Sequence, residues 1–466
     1  MSSESVPVTQ NIQLDELVDP FEARLDVYRD DTGAITQVAF DLSGLPRIDG
    51  MLVGKSALDV PDITKRLCGL CPVVHHLAGV RAVENLYGLT EIPRTAQLIR
   101  ELLTAGSTLD NLATKFVTTD REGARAMKLA GKALMRAAGS PSHFPDVAVP
   151  GGVRAPVDAQ LADDARAALD ALADTEIIQS AFELATDSAE DNSWSDTFDG
   201  LDVAAVDAAG ELSPLGQYLA VRDHRSESEP AIFPANQWTD RVTETRLGDA
   251  APRPIFAVSD TPGAKDELQV KAQFYRVGPV ARQVIVGKHG VSPADAQRQL
   301  LADTVSWARR LLADPDLLGT TVCAPDARAA IENADFAGER SGVGIVDGPR
   351  GLLVHRYTAG CDGIVTDCQI MTPTAQNELW LTRMLTEQLC GAGSSESGGE
   401  AADASLEETA GIEESIWAAD PCLPCSSAPK GLMTFTMREH DQKESAGSTE
   451  PADVHASGVQ TSERTE

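Results

Sequence analysis

The chain contains few lysines, few aromatic residues and no long apolar run. Only 10 of its 466 residues are lysine, against 29 arginines, and aromatic residues make up 5%. Asp and Glu total 71, spread along the whole chain, and the formal net charge is -32. Nucleic acids and anionic membranes bind Lys and Arg patches, so this surface predicts neither as a partner. No stretch reaches the roughly 18 apolar residues of a membrane-spanning helix. The dispersed acidity is typical of proteins from a halophilic archaeon.

The cysteine content does not fit a disulfide scaffold. Eight cysteines in a chain of this length are sparse, and the N-terminus has no basic start followed by an apolar run. Both features predict a cytoplasmic, reducing location. Four of the cysteines stand alone in the sequence, and we expect them to be plain small hydrophobes or bystanders; they are Cys323, Cys361, Cys368 and Cys390.

The order of the sequence patterns predicts one α+β, mainly α domain over residues 16–437. Apolar residues at helical spacing predict a central bundle of long helices, and alternating runs predict small peripheral β-sheets. Low-complexity or acidic composition predicts a flexible N-terminus over 1–15, acidic insertions over 186–212 and 391–412, and a disordered tail over 438–466.

Two cysteine pairs lie near opposite ends of the chain. Cys68 and Cys71 stand in RLCGLC, and Cys422 and Cys425 stand in DPCLPC. Four thiolates form a site for a soft metal such as nickel, iron or zinc. His75 lies seven residues after Cys68, on the same face of a predicted helix. A lone C-x-x-C pair more often binds zinc or carries a redox dithiol, so the residues alone leave the metal open.

The flanking motifs resemble the large subunit of nickel–iron hydrogenases. The first pair with its histidine resembles that family's R-x-C-G-x-C-x-x-x-H, and the second pair resembles its D-P-C-x-x-C. Other segments resemble family motifs in the same order: HFPDVAVPGGV (143–153), FYRVGPVAR (274–282), DGPRGLLVHRY (347–357) and TPTAQN (372–377). The motifs are closest to those of the cytoplasmic branch that reduces pyridine nucleotide, deazaflavin or sulfur.

The resemblance implies a nickel–iron centre held by all four cysteines. Cys68 and Cys422 would bind nickel terminally. Cys71 and Cys425 would also bridge to an iron that carries carbonyl and cyanide ligands. Cys422 would be the base that accepts the proton when dihydrogen is cleaved.

The resemblance also implies roles for residues around the metals. Arg350 would place a fixed cation over the open metal position. Thr374 and the backbone after Pro349 would hydrogen-bond the cyanides, and His75 would donate to a bridging sulfur.

Three positions depart from the family pattern. Ala428 stands where the family has a His or Arg that marks C-terminal trimming. Asp49 replaces a glutamate that binds magnesium, although its carboxylate is still a suitable ligand. Pro20 occupies the place of the glutamate that relays protons, and Glu22 is the nearest substitute.

The resemblance predicts an oxidoreductase that acts reversibly on dihydrogen, with electrons leaving through an iron–sulfur small subunit. NAD(P)- or ferredoxin-linked subunits and maturation proteins would complete its set of partners. Two alternatives stay open at this point. One is a non-catalytic scaffold subunit of a redox complex that derives from a hydrogenase, and the other is a protein that binds zinc or a simple iron centre through the four cysteines.

Overall fold

A computed structural model describes most of the chain. The described residues are 24–186, 196, 198–226, 228–246, 248, 250–256, 274–332, 334, 338–392, 411–422 and 436–441. The predicted flexible segment over 1–15, Glu22, Cys425 and Ala428 lie outside them.

Helices are the main secondary structure of the described residues. Some of them begin or end at residue types that cap helices. Ser292 caps the Pro293–Ala313 helix by accepting a hydrogen bond from the Asp295 N–H. Gly88 ends the Pro72–Tyr87 helix in the left-handed conformation, at φ 71°. The helices are Val60–Thr64, Pro72–Tyr87, Arg94–Phe116, Arg121–Ala137, Ala159–Ala173, Glu176–Thr186, Pro279–Ile285, Pro293–Ala313, Ala327–Glu332 and Pro373–Ala392, with a further helical segment at 411–419.

The strands form small sheets around the helices. One three-stranded sheet has the strand order Thr436–Asp441, Arg24–Arg29, Ile35–Asp41. Another three-stranded sheet has the order Arg340–Gly348, Gly351–Ala359, Val365–Met371. A four-stranded sheet has the order Tyr275–Val277, Leu201–Val206, Tyr218–Asp223, Ala231–Pro234. Two-stranded pairs join Ala148–Val149 to Gly152–Val153 and Val242–Glu244 to Pro254–Phe256.

The largest apolar core lies between the long helices. The Arg94–Phe116 and Arg121–Ala137 helices pack with their backbones in close approach at Gly106 and Gly131. A Cβ on Gly106 would lie 2.7 Å from the carbonyl oxygen of Gly131, so only glycine fits there. Leu98, Leu102 and many other fully buried side chains fill the space around this pair. The predicted α+β, mainly helical fold class is confirmed, and no helix among the described residues is long and apolar enough to cross a membrane.

Two predicted boundaries are wrong. The sequence predicts an irregular surface insertion over 186–212, but Leu201–Val206 is a strand that is buried along its whole length. Its Asp202 is neutralised by Arg276, which lies far along the chain, at 2.7 Å. The sequence also predicts a disordered tail from residue 438, but Thr436–Asp441 pairs in parallel with Arg24–Arg29. The predicted insertion 391–412 is helical at both ends, at 391–392 and 411–412. Its residues 393–410 lie outside the described residues.

Candidate metal centre

Three of the four predicted cysteine ligands converge. The Sγ atoms of Cys68 and Cys71 are 3.0 Å apart, and those of Cys71 and Cys422 are 3.9 Å apart. All three sulfurs lie within 4.8 Å of one another. Cys71 is buried, and Cys68 and Cys422 are partly buried. The fold therefore brings sulfurs from both ends of the chain to one place.

The three clustered thiols oppose one another's ionisation. The pKa of Cys68 lies far below its ordinary value because the thiols of Cys422 and Cys71 hydrogen-bond to its sulfur. The pKa values of Cys422 and Cys71 are raised by hydrogen bonds within the cluster, by burial and by the nearby negative charge. A soft divalent metal removes this conflict because it stabilises every thiolate that it binds. The donor set therefore fits nickel, iron or zinc.

The first cysteine pair is positioned by a helix start and by a histidine. Cys71 is the residue before the Pro72–Tyr87 helix, which has proline at its first position, where no backbone N–H is needed. His143 bonds through Nε2 to the carbonyl oxygen of Gly69 at 2.7 Å. Gly69 lies between the two cysteines, so the loop around 143–153 fixes the loop that carries the sulfurs.

A residue with a strained backbone conformation precedes the second cysteine pair. Asp420 follows the helical segment 411–419 and has φ 51°, in the left-handed region that is uncommon for residues other than glycine. Two residues later, the backbone N–H of Cys422 donates to Thr374 Oγ1. Thr374 lies in the first turn of the Pro373–Ala392 helix and is buried. This bond fixes the backbone of Cys422 opposite the first pair.

Arg350 lies at the tip of a two-residue β-hairpin turn. Gly348 and Gly351 are the last cross-strand partners, so Pro349 and Arg350 form the turn between them. Gly351 has φ 124°, which glycine alone adopts without strain. A Cβ on Gly278 would lie 2.6 Å from the carbonyl oxygen of Arg350, so a glycine is needed there as well.

An arginine on a neighbouring helix braces this turn. Arg282 donates through Nη2 to the carbonyl oxygen of Asp347 at 3.1 Å and also contacts the Asp347 carboxylate and the carbonyl of Gly348. All of these groups are buried or nearly so. Buried charge-assisted bonds of this kind hold geometry firmly, so the turn is a rigid support for Arg350.

The guanidinium of Arg350 is held by two polar side chains. Its Nε lies 3.0 Å from Asp420 Oδ1, and its Nη1 lies 3.4 Å from Asn111 Oδ1. Burial alone would lower the pKa of Arg350. The pKa is nevertheless raised, because the Asp420 carboxylate and the sulfurs of Cys422 and Cys71 favour the charged form. The side chain therefore stays a cation beside the thiols.

Arginine and cysteines line one small cavity. It has a volume of about 20 Å³, which is room for a water-sized group. Its walls are mostly apolar. The residues that line it include Cys71, His75, Pro349, Arg350, Pro373 and Cys422.

His75 belongs to a buried chain of hydrogen bonds. Its Nδ1 lies 3.1 Å from His355 Nε2, and His355 Nδ1 lies 2.6 Å from the Tyr357 hydroxyl. Burial lowers the pKa of both histidines, so both are neutral at pH 7. With its Nδ1 engaged by His355, His75 has its Nε2 left for other partners.

The predicted magnesium ligand Asp49 stays a prediction. Asp49 is buried, and its Oδ1 faces the Nε of Arg47 at 3.5 Å. Its Oδ2 accepts a bond from the Ile370 N–H at 3.4 Å. The described residues place no pair of further carboxylate, histidine or cysteine ligands around it. Its buried Oδ1 has no hydrogen-bond partner among the described residues and is available to a cation.

Several residues that shape the site were not identified from the sequence. Arg282 and His355 lie inside the family-like motifs, so those motifs were the available signal. Lys115 lies in no motif. It contacts Asp420 from the Arg94–Phe116 helix, and only the three-dimensional arrangement reveals it.

Comparisons with known proteins find similarity to hydrogenases. A family model described as nickel-dependent hydrogenase matches residues 47–118. One relative belongs to the vhu F420-non-reducing hydrogenase of Methanococcus voltae and is 25% identical over 403 residues, which cover 76% of this chain and 92% of that protein. Another belongs to the F420-non-reducing hydrogenase of Methanothermobacter marburgensis and is 24% identical over 466 residues, which cover 87% of this chain and 92% of that protein.

A solved structure shares the fold. The crystal structure of an NAD+-reducing NiFe hydrogenase in the H2-reduced state is 23% identical and has a TM-score of 0.64. The match covers 86% of this chain and 95% of that one.

Proposed function

We propose that this chain is the large subunit of a nickel–iron hydrogenase and that it cleaves dihydrogen reversibly and heterolytically as the catalytic component of its complex. The observation that carries the proposal is the cluster of Cys68, Cys71 and Cys422 beside a small, mostly apolar cavity. Two of these cysteines, Cys71 and Cys422, line the cavity together with Arg350.

The donor atoms are suited to nickel and iron. Thiolates are soft ligands that favour these metals over magnesium or calcium. We propose that Cys425, three residues after Cys422 in the sequence, supplies the fourth sulfur. When bound, a nickel–iron pair with carbonyl and cyanide ligands on iron supplies Lewis acidity and accepts the electrons. Pro349 and Thr374 would then face the cyanides.

The chain's own residues provide the proton chemistry. Oxidation of one dihydrogen releases two protons and two electrons. Cys422 is the proposed acceptor of the first proton, and the fixed charge of Arg350 stabilises the thiolate before transfer. The site has little solvent around it, so these electrostatic effects are stronger than they would be in water.

Proton exit is proposed to begin at Cys422 and to reach Glu22, two residues from Pro20 in the sequence. His75 is proposed to donate a hydrogen bond from Nε2 to a bridging sulfur and so to adjust its basicity. Asp49 is proposed to supply one oxygen ligand to magnesium through its buried Oδ1, which has no hydrogen-bond partner in the described part of the chain.

We further propose a cytoplasmic complex in which an iron–sulfur small subunit carries the electrons away. The relatives are named as single subunits of hydrogenases, which supports a multisubunit assembly. NAD(P)- or ferredoxin-linked subunits are the proposed acceptors, and maturation proteins would insert the metals.

The test combines metal analysis, infrared spectroscopy and dihydrogen-dependent dye reduction on the purified complex. The wild type should contain nickel and iron, show infrared bands of metal-bound carbonyl and cyanide, and oxidise dihydrogen. Cys422→Ser should abolish the activity and lose nickel. Cys361→Ser alters an exposed cysteine away from the site and should retain both.

Two outcomes would contradict the proposal. Zinc as the only metal would point to a zinc protein with four cysteine ligands, and a complex that contains the chain without metal would point to a scaffold role.

A further inference from the structure

We infer that Lys115 is a positioning residue of the metal centre, which neutralises Asp420 so that the charge of Arg350 remains directed at the cavity. This inference rests on the proposed function, because it concerns the same cavity. Lys115 lies on the Arg94–Phe116 helix, and none of the sequence motifs includes it.

The contacts of Lys115 place it firmly. Its side chain is 1% exposed. Its Nζ lies 2.8 Å from Asp420 Oδ1, donates to the carbonyl oxygen of Trp417 at 3.0 Å, and lies 5.2 Å from the centroid of the Trp417 ring. A buried ammonium needs partners of this kind, because the removal of a charge from water is costly. The lysine is therefore tied to the segment that leads into Cys422.

Asp420 is shared between two cations. Its Oδ1 lies 2.8 Å from Lys115 Nζ and 3.0 Å from Arg350 Nε. Carboxylate and guanidinium alone would form a neutral pair, and little net field would reach the cavity. With Lys115 present, the three groups carry a net charge of +1. Arg350 is the member that lines the cavity, so the excess positive charge acts there.

The same contacts hold the backbone before Cys422. Asp420 has a left-handed φ, and such a conformation persists only when surrounding contacts over-determine it. The two cations approach its carboxylate from different elements, the Arg94–Phe116 helix and the hairpin turn at 349–350. Lys115 thus links the helix bundle to Arg350 through one carboxylate.

The test is turnover per bound nickel in the purified complex with Lys115→Met, which removes the charge and keeps an unbranched chain of similar length. Turnover per nickel should fall about 10- to 100-fold, as expected for the loss of a preorganised electrostatic group. The carbonyl and cyanide infrared bands should shift, because the field at the cavity changes. Lys115→Gln should behave in the same way, and Lys115→Arg should restore most of the turnover.

Lys128→Met is the matched control. Lys128 pairs with Asp110 at 3.3 Å, but its side chain is 45% exposed and is not in contact with the cavity. Its variant should match the wild type in turnover per nickel and in infrared bands.

The outcomes separate this inference from the proposed function. The inference is overturned if both neutral Lys115 variants match Lys128→Met per nickel, or if Lys115→Arg rescues nothing. A lower nickel content with unchanged turnover per nickel would show a structural role only, which also overturns it. A wild-type complex without nickel contradicts the proposed function itself.

Discussion

The polar residues of this site are buried, and they bond to partners from distant parts of the chain. Arg350, Asp420 and Lys115 form one ion-pair network, and His75 joins His355. Removing one member of a buried pair leaves an uncompensated group and costs several kcal/mol. Substitutions here therefore affect both stability and chemistry.

Because the His76 ring is buried, we expect the folded protein to lose stability in acid. It is buried and its Nε2 accepts a hydrogen bond from the Ala148 N–H, so the folded state requires the neutral ring. Burial lowers its pKa to about 4, from 6.5. Between these values the unfolded chain binds more protons, so stability is complete above pH 6.5 and falls as pH approaches 4. The contribution over this range is roughly 3 kcal/mol.

The measurement is the free energy of unfolding of the wild type and His76→Gln at pH 8 and at pH 5. His76→Gln should be the less stable protein at pH 8, because its hydrogen bond to the Ala148 N–H is altered. It should lose less stability than the wild type on acidification. An equal loss in both proteins would show that His76 does not contribute to the acid sensitivity.

Among the elements, the contact between the Pro72–Tyr87 helix and the Arg340–Gly348 strand connects the two halves of the site. The helix begins at Cys71, and the strand ends next to the turn that carries Arg350. Gly342 and Gly344 let the two backbones touch. A Cβ on Gly344 would overlap the carbonyl oxygen of Ala78, and a Cβ on Gly342 would overlap that of Ala82.

Gly344→Ala should destabilise the protein, because the helix or the strand must move to admit the methyl group. Overpacking of this kind costs about 1–3 kcal/mol. The displacement should also lower nickel content, since the helix begins at the cysteine loop. Thermal unfolding and metal analysis provide the measurements. Gly50→Ala is the control, because a Cβ there meets no atom within 4 Å. Equal melting temperatures for the two variants would contradict this description of the contact.

Local sequence signals predicted the helices well because their causes are local. Ser292 with Pro293 and the left-handed Gly88 mark helix ends through neighbouring atoms alone. Pairings between distant residues are not encoded in that way. Asp202 made its strand look like part of an acidic surface, since its partner Arg276 lies 74 positions later.

The candidate site also contains residues that local motifs identify and residues that only the folded structure brings together. The cysteines and Arg350 lie in motifs that resemble a known family, so the sequence was sufficient to name them. Lys115 has no local signal, because its importance comes from a contact with Asp420 across the fold.

At the level of the whole molecule, the net charge of -32 is the dominant property. Like charges spread over one folded chain repel each other and oppose compaction. Added salt shortens the range of this repulsion, from about 10 Å at 0.1 M to about 3 Å at 1 M. The acidic surface should therefore make stability depend on salt.

Raising potassium chloride from about 0.1 M to about 1 M should raise the melting temperature, because screening weakens the repulsion. The same series at pH 8 with sucrose in place of salt controls for effects that do not involve charge. A melting temperature that is unchanged or falls with salt would contradict a halophilic adaptation.

The convergence of the chain ends on one metal is tested most directly by X-ray absorption at the nickel edge of the purified complex. We expect nickel with a ligand shell dominated by sulfur, and a loss of sulfur scattering or of nickel in Cys422→Ser. Nickel bound only by nitrogen and oxygen, or a site that holds zinc in its place, would contradict it.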